Sequence, residues 1–223
     1  MLFINAKEIW DTYNISGIET CGYLANRNHM FSQVSLCTEN ENIKENKNEL
    51  TPYVCGVAGN DGRPNCTYTE PYGSILWHTH PSSSKPYPST EDIVKSLKPR
   101  KPRKPGEHEQ IYSCILVCFW GVWEWRASDK ENYPEKDDED YDDDIEDINK
   151  FITEKHKLIA KSIGQDPFTG HTKREAELNT TIEIAIDNFI TDLNNSLGGM
   201  GFKIYFTSWK NIKGSSFYTL NFQ

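Results

Sequence analysis

Strand-length apolar runs alternate along this chain with segments of helical period, and this alternation restricts its fold more than any other feature. Glu19 to Ala25, Tyr53 to Ala58, Ser74 to His80, Ile111 to Phe119 and Val122 to Arg126 read as strands. Ala6 to Tyr13 reads as a short helix with Asn5 as N-cap, and Ser89 to Leu97 as a helix whose stripe is Ile93, Val94 and Leu97. Ile145, Ile148, Ile152, Ile159 and Ile163 recur at helical spacing. So do Leu178, Ile182, Ala185, Phe189, Leu193 and Leu197, in a helix that Gly198-Gly199 ends. Phe202 to Thr207 closes as a strand. The order predicts an α/β fold, a mixed sheet flanked by helices with a C-terminal helical extension. The expected organisation is a core over 1–128, an acidic segment over 129–147, and two helices with a terminal strand over 148–223 packing on the core.

Charge is distributed unevenly along that plan. Asp129 to Asp147 holds twelve acidic residues against Lys130 and Lys136, a local charge of -10. The whole chain carries -9, so the remainder is at +1. Such a block is expected to stay solvated and disordered, and to offer a docking segment for a partner protein. A nearly neutral remainder speaks against nucleic acid as partner, because phosphate binding needs a basic face. A basic, proline-punctuated stretch beginning Lys98-Pro99-Arg100-Lys101 is expected to be an exposed loop over 98–110. Turn or loop chemistry marks Asn40 to Asn48 and Asn60 to Pro64. No apolar run reaches the roughly 20 residues of a membrane helix. The start of the chain, where Asn5, Lys7 and Glu8 follow Leu2-Phe3-Ile4, does not read as a signal peptide. The six cysteines form no C-x-x-C pair and are expected to be reduced thiols, in a protein of the cytoplasm or nucleus without membrane association.

Chemistry concentrates in Trp77-His78-Thr79-His80-Pro81 and the following Ser89-Thr90-Glu91-Asp92. Residues two apart on a strand share a face, so His78 and His80 present two imidazoles side by side. That arrangement suits two nitrogens converging on one Zn²⁺, with Asp92, in the first turn of the next helix, as the best candidate for a third ligand. Three protein ligands leave a position for water, as a catalytic zinc requires. An isolated H-x-H is a weak signal, and Ser89-x-x-Asp92 also fits a capping box that merely starts a helix. The two readings are compatible, since capping would fix Asp92 where a metal could use it. His29, His108, His156 and His171 lie in polar or charged stretches, and Cys114 and Cys118 read as buried small hydrophobes.

His78-x-His80-Pro81 with Ser89-x-x-Asp92, preceded by Glu19-x-x-Gly22-x-Leu24, resembles the JAMM (MPN-plus) zinc metalloprotease pattern over roughly residues 2–127. Eight residues separate His80 from Ser89, one more than the usual family spacing. The resemblance implies a three-layer fold similar to zinc deaminases. It also implies an isopeptidase that removes ubiquitin or ubiquitin-like proteins, with one catalytic Zn²⁺ on His78, His80 and Asp92. The ion would lower the pKa of water from 15.7 to about 7. Glu19 would act as general base and then general acid, and Ser89 would donate to the developing oxyanion. The alternatives are a non-catalytic MPN-type scaffold or a metallopeptidase with a non-ubiquitin substrate. A zinc deaminase would need H-x-E and a later P-C-x-x-C, and neither is present. A cysteine protease built on Cys21 would lack a partner histidine in its sequence context.

Overall fold

A computed structural model describes residues 3–14, 18–25, 38–39, 49–57, 75–81, 84–97, 112–127, 141–164, 177–212 and 217–221. The loops and turns expected over 40–48, 60–64 and 98–110, the acidic stretch 128–140, and His29, His108 and His171 lie outside the described residues.

The N-terminal helix forms where its cap is met. Strand β1 (Phe3–Asn5) runs into helix α1 (Ala6–Tyr13), and the Asn5 side chain accepts the Glu8 amide at 3.0 Å. Ala6 and Ile9 are buried on its inner face. The remaining strands are β2 (Thr20–Ala25), β3 (Thr38–Glu39), β4 (Thr51–Val57), β5 (Ile75–Thr79), β6 (Tyr112–Cys118), β7 (Gly121–Ala127), β8 (Phe202–Ser208) and β9 (Phe217–Thr219). Seven form one sheet in the order β3-β4-β2-β5-β6-β7-β8, and β1 pairs with β9 in a second, two-stranded sheet. Within the large sheet β2 is antiparallel to β4 and β5, whereas β5 is parallel to β6. A parallel pair needs a crossover, and the chain between β5 and β6 contains helix α2 (Thr90–Leu97). The expected α/β class with a mixed sheet and helices is therefore what the chain adopts.

The chain divides into two compact units, each assembled from segments distant in sequence. The first comprises Met1–Tyr87, Ser113–Glu124 and Tyr205–Gln223. Its core gathers Ile4, Ile9, Trp77, Ile115, Val122 and Leu220. Buried Glu124 accepts from Tyr218 Oη at 2.6 Å and from the Asn221 amide at 3.0 Å, which ties β9 into this unit. Gly121 has φ +150°, and a Cβ there would come within 2.1 Å of the Thr207 carbonyl, so no larger residue fits.

The second unit comprises Pro88–Tyr112 and Trp125–Ile204. It carries α2, α3 (Tyr141–Ser162) and α4 (Thr180–Ser196), followed by a 3-10 turn at Gly198–Met200. Ile152 and Ile159 of α3, and Ile182, Ile186, Phe189 and Leu193 of α4, are buried as the helical spacing implied. Asn194 bonds both polar groups of Ile204, accepting from its N–H at 2.8 Å and donating to its carbonyl at 3.1 Å.

Two expectations are corrected. The acidic segment does not stay unstructured to 147, because α3 begins at Tyr141. Half-buried Ile145 and Ile148 extend the apolar stripe into the acid run, and Asp143 and Asp144 suit the positive end of the helix dipole. Nor are all six cysteines reduced: Cys21, buried in β2, is disulfide-bonded. Cys114 and Cys118 are free and buried, as expected. Among the described residues no helix is long and apolar enough to cross a membrane.

Candidate metal centre

Strand register builds half of the site. Cys21 of β2 lies opposite His78 of β5 in the antiparallel ladder. Glu19 immediately precedes β2 and His80 immediately follows β5, at the neighbouring ends of the paired strands. Between them Thr79 Oγ1 accepts the Thr20 amide at 3.1 Å and donates to the Thr20 carbonyl at 3.5 Å, a fully buried clip. The His80 amide donates to Val117 of β6 at 3.1 Å, so the ladder continues through this residue. Alternation buries Trp77 and Thr79 on one face and turns His78 and His80 to the other, with ring centroids 5.0 Å apart and edge-on at 62°.

His80 is held through one ring nitrogen. Its Nδ1 lies 2.6 Å from the Lys85 carbonyl oxygen. A carbonyl only accepts, so Nδ1 carries the hydrogen, which leaves Nε2 as the nitrogen that can offer a lone pair when the ring is neutral. That Nε2 lies 3.6 Å from Glu19 Oε1, with both side chains largely shielded from solvent. Ser84 Oγ donates to the same Glu19 oxygen at 3.5 Å. Tyr87, at the end of this loop, is buried, and burial pushes its phenol well above the ordinary tyrosine range.

The other half belongs to the start of α2. Ser89 is its N-cap, with Oγ accepting the Asp92 amide at 3.1 Å. The Asp92 carboxylate answers through Oδ2, which accepts from the Ser89 amide at 2.8 Å and from the Ser89 hydroxyl at 2.7 Å. This is a capping box with an aspartate in the acidic position. The single hydroxyl hydrogen of Ser89 thus falls on Asp92, and donation to an oxyanion requires the hydroxyl to turn.

His78, His80 and Asp92 each offer one ligand atom, and these atoms all lie within 4.8 Å of one another. Two imidazole nitrogens and a carboxylate oxygen form a donor set that suits Zn²⁺. The group could therefore bind a metal ion. Glu19 is not one of the three, although it stands beside His80.

Three features escaped the sequence reading. Ser84 and the Lys85 carbonyl support Glu19 and His80 from the loop after Pro81, where sequence marks only flexibility. His156 is half-buried instead of lying on a charged helix face. Its Nδ1 is 3.0 Å from Thr90 Oγ1, and its ring stacks on Phe189 at 5.0 Å. Comparison with family models, curated proteins and solved structures finds no match for the chain.

Proposed function

We propose that the protein is a zinc-dependent isopeptidase of JAMM type, acting on ubiquitin or ubiquitin-like conjugates. The observation that carries the reading is the three-ligand group of His78, His80 and Asp92 with Glu19 held beside it but outside it. A hydrolase needs a Lewis-acidic centre and a separate base within reach of the same water. His78 and His80 would hold the ion through imidazole nitrogens, and Asp92 through its carboxylate. Bound there, Zn²⁺ supplies Lewis acidity, which makes water a better nucleophile near neutral pH and polarises a carbonyl.

Glu19 takes the proton from the attacking water and returns it to the departing lysine amine. Its place beside His80, with Ser84 donating to Oε1, keeps the carboxylate oriented for both transfers. Ser89 holds Asp92 in the ground state and turns its hydroxyl to the carbonyl oxygen as negative charge develops there.

Elemental analysis of purified protein combined with a ubiquitin-chain cleavage gel tests this. Stoichiometric zinc with cleavage that a chelator abolishes is the expected result. Zinc without cleavage of any ubiquitin-like substrate would move the assignment to a non-catalytic scaffold or another peptide substrate. Absence of bound metal after exposure to Zn²⁺ would end it.

A further inference from the structure

We propose that Trp123, on β7, is a positioning residue of the metal centre, acting through the Ser84–Lys85–Pro86 segment. The inference rests on the metal reading of His80. Three consecutive residues of that segment each take part in the arrangement. Ser84 Oγ donates to Glu19 Oε1 at 3.5 Å, and the Lys85 carbonyl accepts from His80 Nδ1 at 2.6 Å. The Pro86 carbonyl accepts from the Trp123 indole Nε1 at 2.9 Å and from Cys118 Sγ at 3.3 Å. One short stretch thus touches the base and a ligand on one side and is fastened to the interior on the other.

The fastening is rigid because its anchors are. Trp123 is fully buried and packs against Phe206 with ring centroids 4.7 Å apart. Burial pushes the Cys118 thiol up to about 12, so it stays an S–H donor across the ordinary pH range. The segment is tied at its start as well, by the Ser84 amide donating to the Pro81 carbonyl at 2.8 Å. A ligand histidine depends on the acceptor of its second nitrogen for tautomer and ring orientation, and losing such a partner typically costs about 10–100-fold in metal affinity. Here that acceptor is a backbone carbonyl, which no substitution removes directly. Its placement passes to the side chain that holds the adjacent peptide, and that side chain is Trp123.

The test is Zn²⁺ affinity by chelator competition, with the visible spectrum of the Co²⁺-loaded protein as a second readout and thermal unfolding to verify the fold. Trp123→Phe removes the indole donor, and Pro86→Gly loosens the segment without touching the core ring. Asn194→Ala, which removes two bonds to Ile204, serves as a control for lost stability alone. The expected result is Zn²⁺ binding at least about tenfold weaker and altered Co²⁺ bands in Trp123→Phe and Pro86→Gly, with both unchanged in Asn194→Ala. A folded Trp123→Phe or Pro86→Gly protein that binds Zn²⁺ as tightly as wild type would overturn the bracket alone. Wild-type protein that takes up no Zn²⁺ would overturn the metal reading, and the bracket with it.

Discussion

His80 Nε2 and Glu19 Oε1 stand 3.6 Å apart at the ends of two antiparallel strands, close enough to share a water and too far to be hydrogen-bonded directly. In the proposed mechanism the separation divides labour between a ligand and a base. Replacing Glu19 with Gln keeps size and shape but removes the proton acceptor. The expected outcome for Glu19→Gln is unchanged zinc content with cleavage lowered about 10²–10⁴-fold, read by metal analysis and a chain-cleavage assay on the same preparation. Wild-type cleavage by this variant would remove Glu19 from the chemistry.

The Ser89 hydroxyl both caps α2 and fixes Asp92, a proposed metal ligand. Ser89→Ala should lower unfolding stability by about 1 kcal/mol and weaken Zn²⁺ binding, while Ser89→Thr restores most of the stability. Urea unfolding and Zn²⁺ titration of the two variants check this. If Ser89→Ala unfolds at the wild-type midpoint, the cap carries no weight.

Buried protonated groups predict an alkaline limb in stability. Burial raises the Cys118 thiol to about 12, above the roughly 8.5 of an unfolded cysteine. Between those values the unfolded chain has lost a proton that the folded chain keeps, so stability falls as pH rises, by about 1.4 kcal/mol per pH unit. Burial and the neighbouring Glu124 carboxylate also raise Tyr218, and burial raises Tyr87, which steepens the fall above about pH 10. Chemical unfolding from pH 8 to 10 should show this slope in wild type and a shallower one in Cys118→Ala.

Local pattern carried much of the fold and the site into the sequence. The apolar stripes of α1, α2 and α4 and the strand-length runs of β5, β6 and β7 depend on neighbours a few residues away, and those were readable. His78 and His80 share a face for the same reason, and Ser89 with Asp92 makes a capping box within one turn. What depended on distant pairing was hidden. Nothing in the residues around Glu19 says that β2 lies antiparallel to β5 in the register that brings it to His80. Strand β1 and its partner β9 are three residues each and stand on opposite ends of the described chain, so no periodicity marks them. Trp123 reads only as a core aromatic, because the bond to Pro86 joins residues 37 apart in sequence. The acidic run concealed the start of α3, where charge outweighed the stripe begun by Ile145 and Ile148.

Zinc stoichiometry of the wild-type and His80→Ala proteins, measured side by side by elemental analysis after loading and desalting, bears most directly on the metal centre. One zinc per wild-type chain and a loss of most of it in a folded His80→Ala protein is the predicted result. Wild-type protein free of zinc, or a His80→Ala protein that retains one full equivalent, would contradict the account.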